Sequence, residues 1–419
     1  MQGMERESEI SQNRRKRIAI IGSPDLEFYG GTQVSVIEST EILFSMGFDV
    51  TVFGSGTYFE RRNIDLGEKI RYVKNAFPFD PFSWRTVQKV SRGVSEPLIG
   101  MFTSKKIMKV VGDYDGYYFT APKFIFRSIS ERIDSRKRVL LANHGTYLEF
   151  LSARKGILSR ALINLFDSIF LKHASRENTF IHTQNAFQRK HYLERGIPEE
   201  KIFLIPQCEV DFSKFSVKNN DDFRVLFLNR LSTDKGAHLI PMISNRCKGI
   251  NFVVIGGGPL LNQIRSSAGD NVRLTGFLSE SDKQRVVEKC DVILNLSSYE
   301  SLSISSIEGL AAGLRVISKE RTSGLSFIAE SVEGSVYFAG GSIQEICEML
   351  EKLRREKEAD PFNFHELKEG IRKRAEAIFD KNVINRKMEG VFSTVFGSVM
   401  KDGDGIPKMP PSISERDDC

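Results

Sequence analysis

The chain has 419 residues, 40% of them apolar, and a formal net charge of +6. That length exceeds what one core usually fills, so two domains are expected. The mild positive balance is scattered without an aromatic-basic repeat; it suits an anionic substrate or a membrane surface and is too small to argue for nucleic acid.

Residues 1–16 are polar and charged, with no apolar stretch of the signal-peptide kind, and read as a flexible leader. RIAII (Arg17–Ile21) reads as a buried strand. A loop over 22–31 ends in Gly30-Gly31. A helix is expected over 32–46, with Val36, Ile37, Leu43 and Phe44 on one face and Gly47 as its stop. DVTVF (Asp49–Phe53) is the next strand. This βαβ start has a glycine turn before its helix, but neither the G-x-G-x-x-G fingerprint nor a P-loop. Residues 54–84 are turn-rich and irregular. Residues 85–112 read as helical, with Lys89, Arg92, Lys105, Lys106 and Lys109 among apolar neighbours. The pattern fits a peripheral contact with an anionic membrane; an ordinary helix pair with one wet face fits it too and is the commoner outcome.

Tyr117–Phe119 and Val139–Ala142 read as further strands, and His144-Gly145 stands at the carboxyl end of the second, where open α/β sheets bind ligands. Residues 156–173 form an amphipathic helix, Thr179–Thr183 a strand, and Ala186–Arg195 a helix ended by Gly196. Ile202–Pro206 closes a first domain over 17–211, and the polar stretch 212–222 reads as a linker. A second βα run over 223–385 then begins with Phe223–Leu228 and the loop NRLSTDKG (229–236). Phe252–Ile255 ends in Gly256-Gly257-Gly258-Pro259, and Val272–Leu274 leads to Gly276. Ser335–Phe338 is the last strand, before two charged helices over 342–357 and 364–399, of which 386–400 is expected to return to the first domain. The tail 401–419 is polar and proline-rich and reads as disordered.

Between these lies CDVILNLSSYESLSISSIEGLAAGLRVIS (290–318), which reads as strand, polar loop, helix and strand. Ile304, Ile307 and Ala311 recur at helical spacing, and Gly313 ends the helix. Glu300 in the loop and Glu308 in the helix flank the helix N-terminus. Such a terminus attracts phosphate, and carboxylates accept hydrogen bonds from ribose or sugar hydroxyls, so the set suits a nucleotide-sugar. Two glutamates eight apart also arise as a capping acid plus a surface acid, and the pair decides nothing alone.

The five cysteines, Cys208, Cys247, Cys290, Cys347 and Cys419, are dispersed and suggest reduced thiols in a cytoplasmic protein rather than a zinc site. Asn295-Leu296-Ser297 matches a glycosylation sequon but falls in a strand expected to be buried. No apolar run reaches the roughly 18–20 residues of a transmembrane span.

Taken in order, the motifs resemble those of the family 4 retaining glycosyltransferases, from about Arg17 to about Phe396. The set comprises the early GG loop with GFDVTV, then HTQNAFQRKHYLERGIPEEKIFLIP, NRLSTDKG, IGGGP, TGFLSESD and YESLSISSIEGLAAGLRVIS. The resemblance implies an α/β protein of GT-B fold, two Rossmann-like domains facing across a cleft, with a C-terminal helix packing back on the first. It implies that Arg230 and Lys235 hold the donor diphosphate, that Glu308 accepts the ribose hydroxyls, and that Glu300 accepts a hydroxyl of the donor sugar. It further implies that backbone N–H groups around Leu302, Ser303 and Ile304 touch phosphate, and that Gly256, Gly258 and Phe277 line the base pocket. Gly31 would let the first domain approach the diphosphate, and His144 would lie near the transferred sugar. His144, Glu300, Arg230 and Lys235 are the residues expected to act on the reaction itself. No metal or other cofactor is expected, and Asp113-Tyr114-Asp115 and Asp402-Gly403-Asp404 read as accidental D-x-D matches. The expected partners are a UDP- or GDP-linked sugar and a glycan, lipid-linked or small hydroxyl acceptor, met in the cytoplasm or at the inner membrane face.

The chain departs from the family pattern at several points. Ser301 and Ser303 stand where glycines are expected, Gly309 where alanine is commoner, and Asn229 where glycine precedes the arginine. PQCEVD (206–211) carries one residue more than the expected P-N-G-V-D. Two other readings compete: a non-catalytic GT-B scaffold that binds nucleotide or glycan, which has no need of Arg230, Lys235, Glu300 and Glu308 together, and a sugar-nucleotide epimerase, whose acid/base set is not found.

Overall fold

The computed structural model describes residues 15–22, 31–53, 70–73, 111–120, 130, 132–143 and 171–397. The first domain contributes β1 (Arg17–Ile21), α1 (Gly31–Ser45), β2 (Asp49–Phe53), β3 (Ile70–Val73), β4 (Gly116–Phe119), β5 (Arg138–Asn143), β6 (Thr179–Thr183), α2 (Ala186–Leu193) and β7 (Ile202–Leu204). These strands form one parallel sheet in the order β3-β2-β1-β4-β5-β6-β7. β3 lies inside the stretch expected to be irregular. The second domain contributes β8 (Arg224–Leu228), α3 (Ile240–Arg246), β9 (Asn251–Ile255), α4 (Leu261–Ser267), β10 (Val272–Gly276), α5 (Glu280–Val287), β11 (Val292–Asn295), α6 (Ile304–Ala311), β12 (Arg315–Ser318), α7 (Ser323–Ser331) and β13 (Val336–Phe338). Its parallel sheet runs β10-β9-β8-β11-β12-β13. The result is two Rossmann-like domains, the GT-B arrangement.

Both sheets are apolar on both faces, as parallel sheets sandwiched by helices must be. In β1, Ile18 and Ile20 join one buried cluster while Ala19 and Ile21 join another, the alternation a strand imposes. The strand order of the second sheet reverses at β8, since β9 and β10 lie on one side of it and β11 on the other. The loops after β8 and β11 therefore leave adjacent strand ends at the point of reversal, the place where open α/β sheets bind ligands.

Three helices end the described chain where two were expected: α8 (Ile343–Ala359), α9 (Pro361–Phe379) and α10 (Lys381–Phe396). Asp360 and Asp380 make the breaks, each accepting a backbone N–H of the following helix through its side chain. α8 and α9 are fastened to β11 through buried Asp291, which pairs with Lys357 at 3.0 Å and Lys368 at 3.5 Å. α10 starts at 381 and crosses to the first sheet. Phe392 packs edge-on against Tyr118 at 5.6 Å, Phe396 lies 6.4 Å from Phe48, and Lys16 donates to the Phe396 carbonyl. Gly116 is required under Phe396, because a Cβ there would sit 2.6 Å from the ring.

The two crossings of the chain between domains run side by side. The Lys381 N–H donates to the Val210 carbonyl at 2.9 Å, the Phe212 N–H to Asp380 at 3.1 Å, and Lys381 Nζ pairs with Asp211 at 2.8 Å. Gln207 donates to the Ser35 carbonyl and Ser39 Oγ on α1, and Cys208 Sγ lies 3.2 Å from the Phe379 carbonyl. In the lengthened PQCEVD segment Gln207 and Cys208 are buried with defined partners, while Glu209 is exposed. The start of the expected linker is buried as well, with Phe212 inaccessible to solvent.

Candidate active site

β8 and β11 deliver the central residues. Gly236 adopts φ +70, and a Cβ on it would overlap the Leu296 carbonyl, so the loops after these strands touch only because position 236 lacks a side chain. The contact sets Lys235 against Glu300: Nζ lies 2.7 Å from Oε1, which also accepts from Ser297 Oγ at 2.8 Å. The pair is largely buried, with side-chain exposures of 23% for Lys235 and 10% for Glu300. Cation and acid thus form one unit, although they stand 65 positions apart in the sequence. Arg230 stands nearer to solvent. Its guanidinium reaches Asp234 at 3.2 Å and Ser232 Oγ at 3.3 Å. Burial opposes ionisation of Asp234, but the Ser232 hydrogen bond and Arg230 prevail and hold its carboxyl below the usual range.

α6 begins beside this pair. Ser303 precedes its first turn, whose N–H groups have no acceptor within the helix. The Ser303 hydroxyl turns inward, 2.8 Å from both Asn295 Nδ2 and Ser306 Oγ, and caps none of the N–H groups of the first turn. The same bonds engage the Asn295 amide inside the fold, consistent with discounting the sequon. Gly309 is explained by packing, since a Cβ there would lie 2.9 Å from Ile293 Cγ2 on β11.

Glu308 lies one turn into α6 and pairs with a residue the sequence reading did not single out. Lys283, on α5, sits 2.7 Å from Glu308 Oε1 and 2.6 Å from Glu280 Oε2. Burial pushes the Lys283 ammonium down, but the two acids outweigh it and hold it above the usual lysine range. Burial likewise pushes the Glu308 carboxyl up, against the pull of Lys283.

A third group lies at the ends of β9 and β10. Gly256 adopts φ +130 and its Cβ would overlap the Asn229 carbonyl. Gly258 packs equally closely on Leu231, and Gly257 faces the Phe277 ring. Phe277 is 85% exposed, a large ring standing in solvent beside a glycine-lined wall.

The structure therefore brings Arg230, Lys235, Glu300, Leu302, Ser303 and Ile304 to adjacent strand ends, with Glu308 one helical turn along and Gly256, Gly258 and Phe277 on the neighbouring wall. Gly31 opens α1 at the carboxyl end of β1. His144 lies outside the described residues, as do Asp402-Gly403-Asp404 and nearly all of the basic helical stretches at 85–112 and 156–173. Asp113 and Asp115 are engaged on the surface, both beside Lys137, and Asp115 also accepts the Arg17 N–H. Among the described residues, no group of three or more His, Cys, Asp or Glu side chains is placed to hold a metal ion, and no helix is long and apolar enough to cross a membrane.

Residues 210–375 match the family described as Glycosyl transferases group 1. The match falls mostly on the second domain. Among curated proteins, the chain is 25% identical over 158 residues to the amylovoran biosynthesis glycosyltransferase AmsK of Erwinia amylovora, covering 33% of this chain and 39% of that one. It is 24% identical over 204 residues to the alpha-monoglucosyldiacylglycerol synthase of Streptococcus pneumoniae, covering 46% and 45%. The matches thus span less than half the length of these relatives. Among solved structures, sucrose-phosphate synthase from Thermosynechococcus elongatus superposes with a TM-score of 0.71 at 16% identity, over 92% of this chain and all of that one. Anabaena HepE in complex with UDP and glucose gives 0.63 at 16% identity, over 91% and 100%. At these identities the structural likeness shows the GT-B fold alone.

Proposed function

We propose that the protein is a retaining hexosyltransferase of the family 4 type, moving a sugar from a UDP- or GDP-linked donor to a hydroxyl of a glycan, lipid-linked or small-molecule acceptor. The observation that carries this is the joining of Lys235, Glu300 and the start of α6 where the strand order reverses, with Arg230 on the same loop. The likeness to a polysaccharide glycosyltransferase and a glucosyldiacylglycerol synthase supports a glycan or lipid acceptor, and HepE, with UDP and glucose bound, supports a uridine donor.

In this reading Arg230, Lys235 and the N–H groups at 302–304 neutralise the diphosphate as charge grows on it. The bond from the anomeric carbon to the diphosphate oxygen breaks. The acceptor oxygen attacks the same face and its proton passes to the leaving phosphate, so configuration is retained without a carboxylate nucleophile. Glu300 accepts a sugar hydroxyl, Glu308 the ribose hydroxyls, and Gly256, Gly258 and Phe277 hold the base. Gly31 admits the diphosphate from the first domain, and His144 stands near the transferred sugar. Two cations on one loop serve in place of a metal. The test is transfer from UDP- and GDP-hexoses by wild type and by Lys235→Ala and Glu308→Ala. Turnover in the wild type and none in either folded variant is expected; wild-type turnover in either variant overturns the donor-site assignment. Binding in the cytoplasm at an anionic membrane surface is checked by co-sedimentation with anionic vesicles at low salt, and absence of binding removes it.

A further inference from the structure

The loop between Glu300 and α6 is held from three sides, and one of the holders belongs to the other domain. Asn185 follows β6 and caps α2, its Oδ1 accepting the Gln188 N–H at 2.9 Å. Its Nδ2 donates across the cleft to the Ser301 carbonyl at 2.7 Å and lies 3.5 Å from Ser323 Oγ. Ser323 Oγ and the Gly324 N–H in turn donate to the Glu300 carbonyl, at 3.2 and 2.9 Å. Gly324 presses on the flat face of the 301–302 peptide, where a Cβ would sit 2.7 Å from the Ser301 carbonyl carbon. Asn185 is fully buried.

A planar trans peptide points its N–H opposite to its C=O. Fixing the Ser301 carbonyl toward Asn185 therefore fixes the Leu302 N–H away from it. Ser301 and Ser303 stand where the family pattern has glycines, so this loop has less freedom to reach the required orientation by itself. We propose that Asn185 is a positioning residue of the donor site: by holding the Ser301 carbonyl it aims the Leu302 N–H at the donor phosphate, and it does so only while the two domains are closed on each other. The inference rests on the donor-site reading above.

The cap and the cross-domain bond use opposite ends of one amide, so they separate by mutation. Asn185→Asp keeps an N-cap acceptor and loses the donor, and Asn185→Ser keeps the cap with a hydroxyl too short to reach where Nδ2 stood. Gly324→Ala disturbs the same peptide from its other face and leaves Asn185 intact. The measurement is calorimetric binding of UDP and GDP, and of uridine and guanosine, to the full-length wild type and the variants, with thermal midpoints recorded alongside. Loss of one oriented N–H to a charged phosphate is expected to weaken the diphosphate about tenfold, in both Asn185→Ser and Gly324→Ala, and to change nucleoside affinity less than about twofold. An equal loss for diphosphate and nucleoside reflects general disruption and overturns the proposal, as does unchanged diphosphate binding. If the wild type itself binds neither UDP nor GDP, the donor-site reading falls and this inference with it, an outcome distinct from binding that the variants leave intact.

Discussion

Replacing Lys235 by Met removes the cation from a pair that is mostly shielded from water. At 2.7 Å and an effective dielectric near 20, the gross attraction is about 6 kcal/mol. Desolvation of both groups takes back much of this, and breaking a fully buried pair costs about 3–5 kcal/mol because the survivor is left uncompensated. Lys235 keeps 23% and Glu300 10% of its side-chain surface exposed, so the expected net loss falls to about 1–2 kcal/mol. Glu300 retains the Ser297 hydroxyl. Adding Glu300→Gln removes the stranded charge, and the double variant should recover about half of that loss or more. Urea unfolding of wild type, both single variants and the double closes the cycle. Donor binding should behave oppositely, lost in Lys235→Met and not restored in the double variant, because the site needs the cation itself. Additive stability changes would refute the coupling, and recovery of donor binding in the double variant would refute the role given to Lys235.

Further outcomes follow from other parts of the structure. Burial depresses His182, whose Nε2 lies 2.8 Å from the Ile205 carbonyl, from its ordinary 6.5 to about 4. The fold excludes the protonated form, so this contribution is complete above about pH 6.5 and is lost as pH falls toward 4, by at most about 3 kcal/mol; unfolding at pH 4.5 and 7 should show a difference that His182→Gln flattens. Gly236→Ala combines a left-handed φ of +70 with overlap on the Leu296 carbonyl and should cost about 3 kcal/mol or more. Gly112→Ala, at the same φ with nothing within 4 Å among the described residues, should cost only about 1–2 kcal/mol by thermal unfolding. Phe277→Ser should leave stability nearly unchanged, since the ring is 85% exposed, yet weaken nucleotide binding by about 1–2 kcal/mol if the base stacks on it; unchanged affinity removes Phe277 from the base pocket.

The strands were legible wherever a β-branched or aromatic run stood between turn residues, as in RIAII, DVTVF and NFVVI. IRYV was missed because it is four residues long, carries Arg71, and lies in a turn-rich stretch. The break at Asp380 was hidden by the charged helices on both sides, although an aspartate cap is its signal. At the site, the residue types were readable and the pairings were not. Lys235 and Glu300 are 65 positions apart and Lys283 and Glu308 are 25 apart. Which acid meets which cation is set by where the sheet reverses its strand order and by close glycine contacts, and neither is encoded in local spacing. The role of Asn185 was not legible, because its partner Ser301 lies 116 positions away in the other domain.

The most direct test of the central claim is calorimetric titration of the full-length protein with UDP, GDP and ADP, with and without EDTA, alongside Lys235→Ala. Binding of one nucleotide, unaffected by EDTA and lost in the variant, is the result predicted for a donor site built on the loops after β8 and β11. Binding that survives Lys235→Ala, or no binding of any of the three, would contradict it.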